Sequence, residues 1–170
     1  MAYQARINVE GVKSGKYPGE GLQASASKNW IPVLSFTNDL QSPRDIATGQ
    51  ASGKRQWKPV KITKEWGATS PLALNSLVTN ESIKTVNIEF IKTKDSGEEY
   101  TYQTIKLTNA SFAAIRRFTD DPESDDESSS RHTGGDDTME LEEWSFTFQK
   151  IEVADNDGKT TFMDDWAATT

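Results

Sequence analysis

Apolar residues recur at every second position in several short runs, and this period limits the fold more than any other feature of the sequence. Alternation of apolar and polar residues is typical of β-strands that bury one face and expose the other. The alternating apolar positions are Ile7 and Val9, Val60 and Ile62, Val86, Ile88 and Phe90, and Ile105 and Leu107 in a run that opens near Tyr100. The sequence therefore predicts a mostly β fold with six or more strands.

One run has the features of a strand at the edge of a sheet. Trp30, Leu34 and Phe36 share one parity, and Pro32 lies between them. Because proline cannot donate a hydrogen bond to a neighbouring strand, it is found mainly at sheet edges or strand starts. We therefore predict an edge strand around Pro32.

The longest apolar pattern, from about Met139 to Val153, changes parity along its length. Leu141 has one parity, Trp144 and Phe146 have the other, and Ile151 reverts. A change of parity by one residue indicates a bulge, a sharp bend or two short strands. Barrels and orthogonal sandwiches require such strands at their corners. The predicted architecture is therefore a small two-sheet β-barrel or sandwich.

One short helix is predicted at about residues 70–80. A capping residue precedes Pro71, and proline is favoured at the first position of a helix. Leu74, Leu77 and Val78 then follow at the spacing of one helical face. Asn80 tolerates the left-handed conformation that often ends a helix. We expect this helix to plug an end or cover a side of the β-structure.

The large apolar residues are concentrated in part of the chain. Leu, Ile, Val and Phe together number 32 of 170 residues, about 19%, which is typical of disordered chains. Only three of the 32 lie in four polar stretches, at residues 13–29, 41–55, 119–138 and 154–170. The remaining large apolar residues lie outside these stretches and are numerous enough to form one hydrophobic core. We therefore predict a single domain over residues 1–170 that carries a loop at 41–55, an acidic insert at 119–138 and a C-terminal tail at 154–170.

The net charge of −7 arises in the acidic insert, which contains eight acidic residues and one basic residue. Outside the insert, positive and negative charges are equal in number. Blocks of like charge repel one another, so the insert is predicted to be mobile. No run of basic residues is longer than a pair, which disfavours nucleic acid as a partner.

The sequence contains no motif that supports catalysis or metal binding. Cysteine is absent, which excludes disulfides, thiolate metal sites and a cysteine nucleophile. The single histidine, His132, lies in the acidic insert and is interpreted as a solvated loop residue. Neither the paired aspartates of the insert nor residues 155–158 have the spacing of a calcium loop. The predictions are no enzymatic activity, no cofactor and no metal site.

The N-terminus lacks an apolar segment of the kind found in secretory signals, and no apolar run approaches 18 residues. We therefore expect no membrane insertion. The chain is predicted to be made in the cytoplasm and, where it is exported, to leave without a cleaved signal peptide.

Several segments occur in an order that is typical of one family. They are Ile31-Pro32-Val33-Leu34-Ser35-Phe36, Gly49 to Trp57, Ile62-Thr63-Lys64-Glu65, Ala68 to Leu72, Ile83 to Phe90, Tyr102 to Leu107, and Glu143 to Ile151. In their order and spacing, over about residues 5–153, the chain resembles the Hcp family, the tube protein of bacterial type VI secretion systems. The resemblance implies a two-sheet β-barrel with one helix at its side. It also implies a hexameric ring and the stacking of rings into a secreted structural tube.

The resemblance further assigns roles to the loop and the tail. In the Hcp family the loop that matches residues 41–55 projects from one ring towards the next. Six residues are therefore expected to make stacking contacts: Arg44, Asp45, Ile46, Gln50, Lys54 and Arg55. Trp166 in the tail is expected to dock onto a sheet. The implied partners are further copies of the chain and the sheath, spike and effector proteins of the secretion system, with effectors carried in the ring.

Two alternatives remain open from the sequence. A phage tail-tube-like protein shares the same fold and class of function. A monomeric β-sandwich that binds glycans or peptides would instead use exposed aromatic residues, for which Trp57, Trp66 and Trp166 are candidates.

Overall fold

The computed structural model describes residues 4–20, 29–119 and 140–166. Within these ranges the chain forms twelve β-strands and one α-helix, so the predicted mostly β fold is confirmed. The elements are β1 (Gln4–Gly11), β2 (Gly15–Lys16), β3 (Ile31–Val33), β4 (Ser35–Thr37), β5 (Leu40–Gln41), β6 (Gln56–Trp57), β7 (Val60–Glu65), α1 (Ser70–Val78), β8 (Ile83–Thr93), β9 (Glu99–Phe118), β10 (Leu141–Thr147), β11 (Lys150–Asp155) and β12 (Thr160–Asp165).

Strand β9 belongs to both halves of the β-structure. Its first part, to Ala110, pairs with β8, which in turn pairs with β1, while β11 and then β12 follow on its other side. Its second part, from Ser111, pairs with β10, which pairs with β7 and then β4. All of these pairs are antiparallel. The strand is therefore longer than the alternation near residues 105–107 indicated, and it holds two sheets together.

The two sheets meet at a corner where the predicted change of parity occurs. The register between β9 and β10 shifts at Ser145 and Phe146, and the chain then breaks between β10 and β11. Opposite that break, Asn109 has a positive φ of 50° and its side-chain amide donates to Gln149 Oε1 at 2.8 Å. Asparagine tolerates this left-handed conformation better than most residues. The prediction of a bulge or two short strands is confirmed.

A second crossing between the sheets lies at Leu34. Strand β3 pairs with β1, whereas β4 pairs with β7, so the short segment 31–37 joins both ends of the strand order. Trp30, Leu34 and Phe36 have one parity but do not lie on one strand, because the chain changes sheets at Leu34. Ile31 and Val33 are buried instead, and Leu34 is 47% exposed. The result is a barrel-like arrangement of two sheets.

The core lies between the inner faces of these sheets. The alternating residues predicted from the sequence supply it, with Trp144 and Phe146 fully buried. Phe112 packs against both of these rings, at centroid distances of 5.4 and 4.6 Å. Among the described residues, the fully buried apolar side chains are Ile7, Val9, Tyr17, Ile31, Val60, Ile62, Ala73, Ile83, Val86, Ile88, Leu107, Ala110, Trp144, Phe146 and Ile151.

Helix α1 forms close to the predicted position, but it buries a different face. Asn80 follows it with a φ of 52°, as its sequence position predicted. The predicted apolar face of Leu74, Leu77 and Val78 is wrong. Val78 is 79% exposed, and the buried residues are Ser70, Ala73 and Ser76. The reason is that the helix packs against buried carboxylates, which the two serines satisfy.

One of these carboxylates belongs to a buried ionic network with Lys64. Lys64 Nζ lies 3.1 Å from Glu142 Oε1 and 3.1 Å from Glu20 Oε2. Glu142 also accepts hydrogen bonds from Ser70 Oγ at 2.9 Å and Trp144 Nε1 at 3.0 Å. Both Lys64 and Glu142 are fully buried. The network links sheet, helix and the segment before residue 21.

The second carboxylate, Glu81, lies beyond the other end of the helix. It accepts hydrogen bonds from the backbone N–H groups of Lys13 and Ser14, at 2.7 and 2.6 Å, and from Ser76 Oγ at 2.8 Å. Burial by itself would raise the pKa of Glu81, but these hydrogen bonds outweigh it and hold the pKa below its usual range. Glu81 therefore fastens the β1–β2 turn to the helix.

Candidate interaction surface

Residues 38–59, called the arm below, project from the two packed sheets and helix α1, which are together called the body. The arm connects β4 to β7, and strands β5 and β6 pair within it as a separate two-stranded sheet. A further bridge joins Arg44 to Ala51. Pro59, which has no N–H, lies between β6 and β7, so it cannot extend the ladder of one pair into the other. The predicted loop 41–55 is thus an ordered ribbon.

The tip of the arm is a compact turn that presents one large apolar side chain. The backbone N–H of Gly49 donates to Asp45 O, and that of Asp45 donates to Gln50 O, both at 2.8 Å. Asp45 Oδ1 accepts a hydrogen bond from the N–H of Ala47 at 2.8 Å. Gly49 has a φ of 73°, which favours glycine. Ile46 is fully exposed on this turn.

The structure divides the six predicted stacking residues into two groups. Five of them lie exposed along the outer part of the arm: Arg44, Asp45, Ile46, Gln50 and Lys54. Arg55 instead turns towards the body, where its guanidinium contacts the tail. The assignment of all six to stacking stays a prediction, but their surroundings differ.

The guanidinium of Arg55 forms a bidentate ion pair with the carboxylate of Asp164 in β12. Arg55 Nε and Nη2 donate to the two carboxylate oxygens of Asp164 at 2.5 and 2.6 Å. Trp57 Nε1 donates to the same carboxylate at 2.7 Å. The bonds from Arg55 outweigh the opposing effect of burial and, with the Trp57 bond, hold the pKa of Asp164 below its usual range. Asp164 therefore receives donors from both ends of β6.

Aromatic packing surrounds this ion pair at the foot of the arm. The Trp57 ring lies edge-on to Phe148, which occupies the break between β10 and β11, at 5.6 Å, and 6.4 Å from Phe162. The backbone N–H of Trp166 donates to Gln149 O at 2.9 Å, and Trp166 lines a cavity of about 40 Å³ beside Trp57. Trp166 is still 50% exposed, and its predicted docking stays a prediction.

The sequence did not single out Asp164 or Phe148 for this site. Asp164 stands 109 residues from Arg55, in a tail with little apolar alternation. The tail forms strand β12 because the turn at Asp157 and Gly158 folds it back on β11, with Gly158 N–H donating to Asp155 Oδ1 at 2.8 Å. That hairpin turn was the one available signal.

The other tryptophans do not form an exposed aromatic platform. Trp66 donates its Nε1–H to Leu141 O at 2.7 Å, and the Arg117 guanidinium lies 4.3 Å from its ring centroid. Trp57 is likewise half-buried at the foot of the arm. A glycan-binding surface built on these side chains is therefore not favoured.

Among the described residues, no group of three or more acidic or histidine side chains lies close enough together to hold a metal ion. In that same part of the chain no helix has the length and apolarity to cross a membrane. His132 and residues 120–138 of the acidic insert lie outside the described residues.

Comparison with known proteins identifies one family, which matches most of the chain. The family described as "Type VI secretion system effector, Hcp" matches residues 7–154. The "Major exported protein" of Pseudomonas aeruginosa is 28% identical over 174 residues, which cover 98% of this chain and 96% of that protein.

Solved structures have the same fold. A crystal structure of an Hcp protein is 26% identical, covers 99% of this chain and 100% of that one, and has a TM-score of 0.84. A mutant of Hcp1 from the E. coli EAEC 042 pathovar is 22% identical over 97% of this chain and 99% of that one, with a TM-score of 0.79. The secreted protein Hcp3 of Pseudomonas aeruginosa is 23% identical over 98% of this chain and 100% of that one, with a TM-score of 0.72.

Proposed function

Because the chain belongs to the Hcp family of type VI secretion proteins, we propose that it is a structural tube subunit, which forms hexameric rings that stack through the arm. The arm is the observation that carries this proposal. It is an ordered ribbon with its own pairing, and it holds Ile46 fully exposed. Because the ribbon is already ordered, it can present Ile46 to a neighbouring ring without the entropic cost of ordering a loop on association.

The edges of the first sheet support closure into a ring. Among the described residues, β12 pairs with β11 on one side only, and β2 and β3 form the opposite edge beside β1. A subunit with two different edges can make head-to-tail contacts that repeat around an axis and close. Such contacts also cover strand edges that would otherwise promote aggregation.

The family context extends the proposal to the partners. The subunit would work with sheath and spike proteins and carry effector proteins within the ring. The name of the Pseudomonas aeruginosa relative, a major exported protein, supports secretion of the tube. The fold offers no arrangement that favours catalysis among the described residues, so the proposed role is structural.

The mass in solution tests the ring. Six copies of the 18.9 kDa chain give about 113 kDa by light scattering. A particle of the monomer's mass that persists at high protein concentration would contradict the hexamer and revive a monomeric binding module.

Deletion of residues 46–52 tests the arm as the stacking element. We expect rings of unchanged mass that no longer stack into tubes, because the tip is removed while the sheets are untouched. Ile46→Ser should weaken stacking in the same direction, and Val78→Ser, which changes an exposed apolar residue on α1, serves as the matched control. Electron microscopy of negatively stained tubes measures both. Stacking equal to that of the parent protein would refute the assignment.

A further inference from the structure

We propose that Asp164 is a positioning residue that fixes the direction in which the arm projects, so that the C-terminal strand β12 controls how Ile46 is presented for stacking. The importance of that direction rests on the proposed function. The direction itself is a property of one subunit and is measurable without any tube.

The arm needs an anchor because its own pairing does not connect it rigidly to the body. Its two-stranded sheet is separate from the larger sheet, and a two-stranded hairpin alone is only marginally stable in water. Residues 38–39 and 58–59 lie between the two ladders, where Lys58 N–H donates to Asp39 O at 3.0 Å. The ribbon can therefore tilt at this point unless side chains hold it.

Asp164 has the geometry to hold the ribbon. Three donors converge on its carboxylate from Arg55 and Trp57, and Arg55 Nη2 also reaches Asp165 O at 3.2 Å. The Asp164 side chain is only 15% exposed, whereas that of Arg55 is 40% exposed. Isolated surface ion pairs contribute little, but two-pronged pairs with a further donor have a defined geometry. Such a contact restricts the position of the ribbon relative to β12.

The aromatic contacts act in the same place. Trp57 packs between Phe148 from the body and Phe162 from β12 while its indole N–H binds Asp164. The indole is therefore held by packing on one side and by a charge-assisted hydrogen bond on the other. This arrangement gives Arg55 an internal role, since its Nε and Nη2 groups bind β12 within the subunit.

Strand β12 is the only anchor in this set that is not central to the body. Within the described residues it lies at a sheet edge and pairs with β11 alone. Displacement of this strand would release Arg55 and Trp57 together. The tail therefore couples an event at the sheet edge to the arm.

The test measures the distance between the arm and the body by pulsed electron paramagnetic resonance. Because the chain contains no cysteine, spin labels attach only at introduced sites, Thr48→Cys on the arm and Lys106→Cys on β9, both exposed. Labelled chains are diluted with unlabelled ones so that each ring holds one pair. Asp164→Asn is compared with the parent and with Asp95→Asn, which removes the same charge in the exposed β8–β9 turn.

We expect one narrow distance peak in the parent protein. In Asp164→Asn that peak should be replaced by a broad distance distribution, whereas in Asp95→Asn it should be unchanged. Asp164→Glu, which keeps a carboxylate acceptor for Arg55 and Trp57, should retain a narrower peak than Asp164→Asn. An unchanged peak in Asp164→Asn would overturn the proposal. If the parent protein forms no stacked tubes, the proposed function is refuted but the distance result remains valid. The two failures are therefore distinguishable.

Discussion

The protein has two ionic clusters that look alike in their partners and differ in their surroundings. Lys64 and Glu142 are fully buried between sheet and helix, whereas Arg55 and Asp164 lie at the foot of the arm, with Arg55 40% exposed. Removing one partner of a buried pair leaves an uncompensated charge, which is costly. An exposed pair is largely solvated after the same change. The first cluster therefore determines whether the body folds, and the second determines how a projection is held.

The largest expected effect is that of Glu142→Ala. This change removes an acceptor for Lys64, Ser70, Trp144 and Arg117 and leaves the buried Lys64 ammonium with Glu20 as its remaining carboxylate partner. We expect the free energy of unfolding to fall by about 3–5 kcal/mol, measured by urea denaturation. Glu143→Ala, on the opposite face of β10, is the matched control and should change it little. Equal effects of the two changes would mean that the buried cluster has no special role.

A smaller effect, which depends on pH, is expected for Glu81→Gln. The folded pKa of Glu81 lies below its ordinary value of 4.5. Its contribution to stability is therefore fully present above that value and is lost as the pH falls through the folded pKa. At neutral pH the variant should be less stable by about 1–3 kcal/mol, and the difference from the parent should shrink on acidification. Glu98→Gln, an exposed change, provides the control. A difference that stays constant with pH would contradict the linkage.

The smallest effect is expected from a rise in ionic strength, which tests how strongly the Arg55–Asp164 ion pair holds the arm. Raising the ionic strength from 0.15 M to 1 M shortens the screening length from about 8 Å to about 3 Å. The distance distribution between arm and body should broaden, because the Arg55–Asp164 pair is partly exposed. The Asp164→Asn protein should show no further broadening. A narrow parent peak that survives 1 M salt would show that aromatic packing alone holds the arm.

Much of the body could be predicted from the sequence because burial there follows a simple period. Trp144 and Phe146 are core residues at alternating positions, and the change of parity correctly placed the corner near them. Lys64 has the same parity as Val60 and Ile62, so its inward direction was readable, although its partners were not. Those partners come from distant segments and from α1.

The helix face and the arm could not be predicted in the same way. The spacing of Leu74, Leu77 and Val78 suggested an apolar face, but the buried carboxylates select the serine face instead. The contact between the arm and the tail depends on the β11–β12 hairpin and on the corner that places Phe148. Arg55 and Asp164 are 109 residues apart in the sequence. No local period encodes such a meeting.

The length of β9 has a mechanical consequence. Its 20 residues pair with β8 and β11 in one sheet and with β10 in the other, without a break in the strand. Pulling the sheets apart would therefore require both ladders to open along one continuous backbone. The body is therefore expected to unfold in one cooperative step.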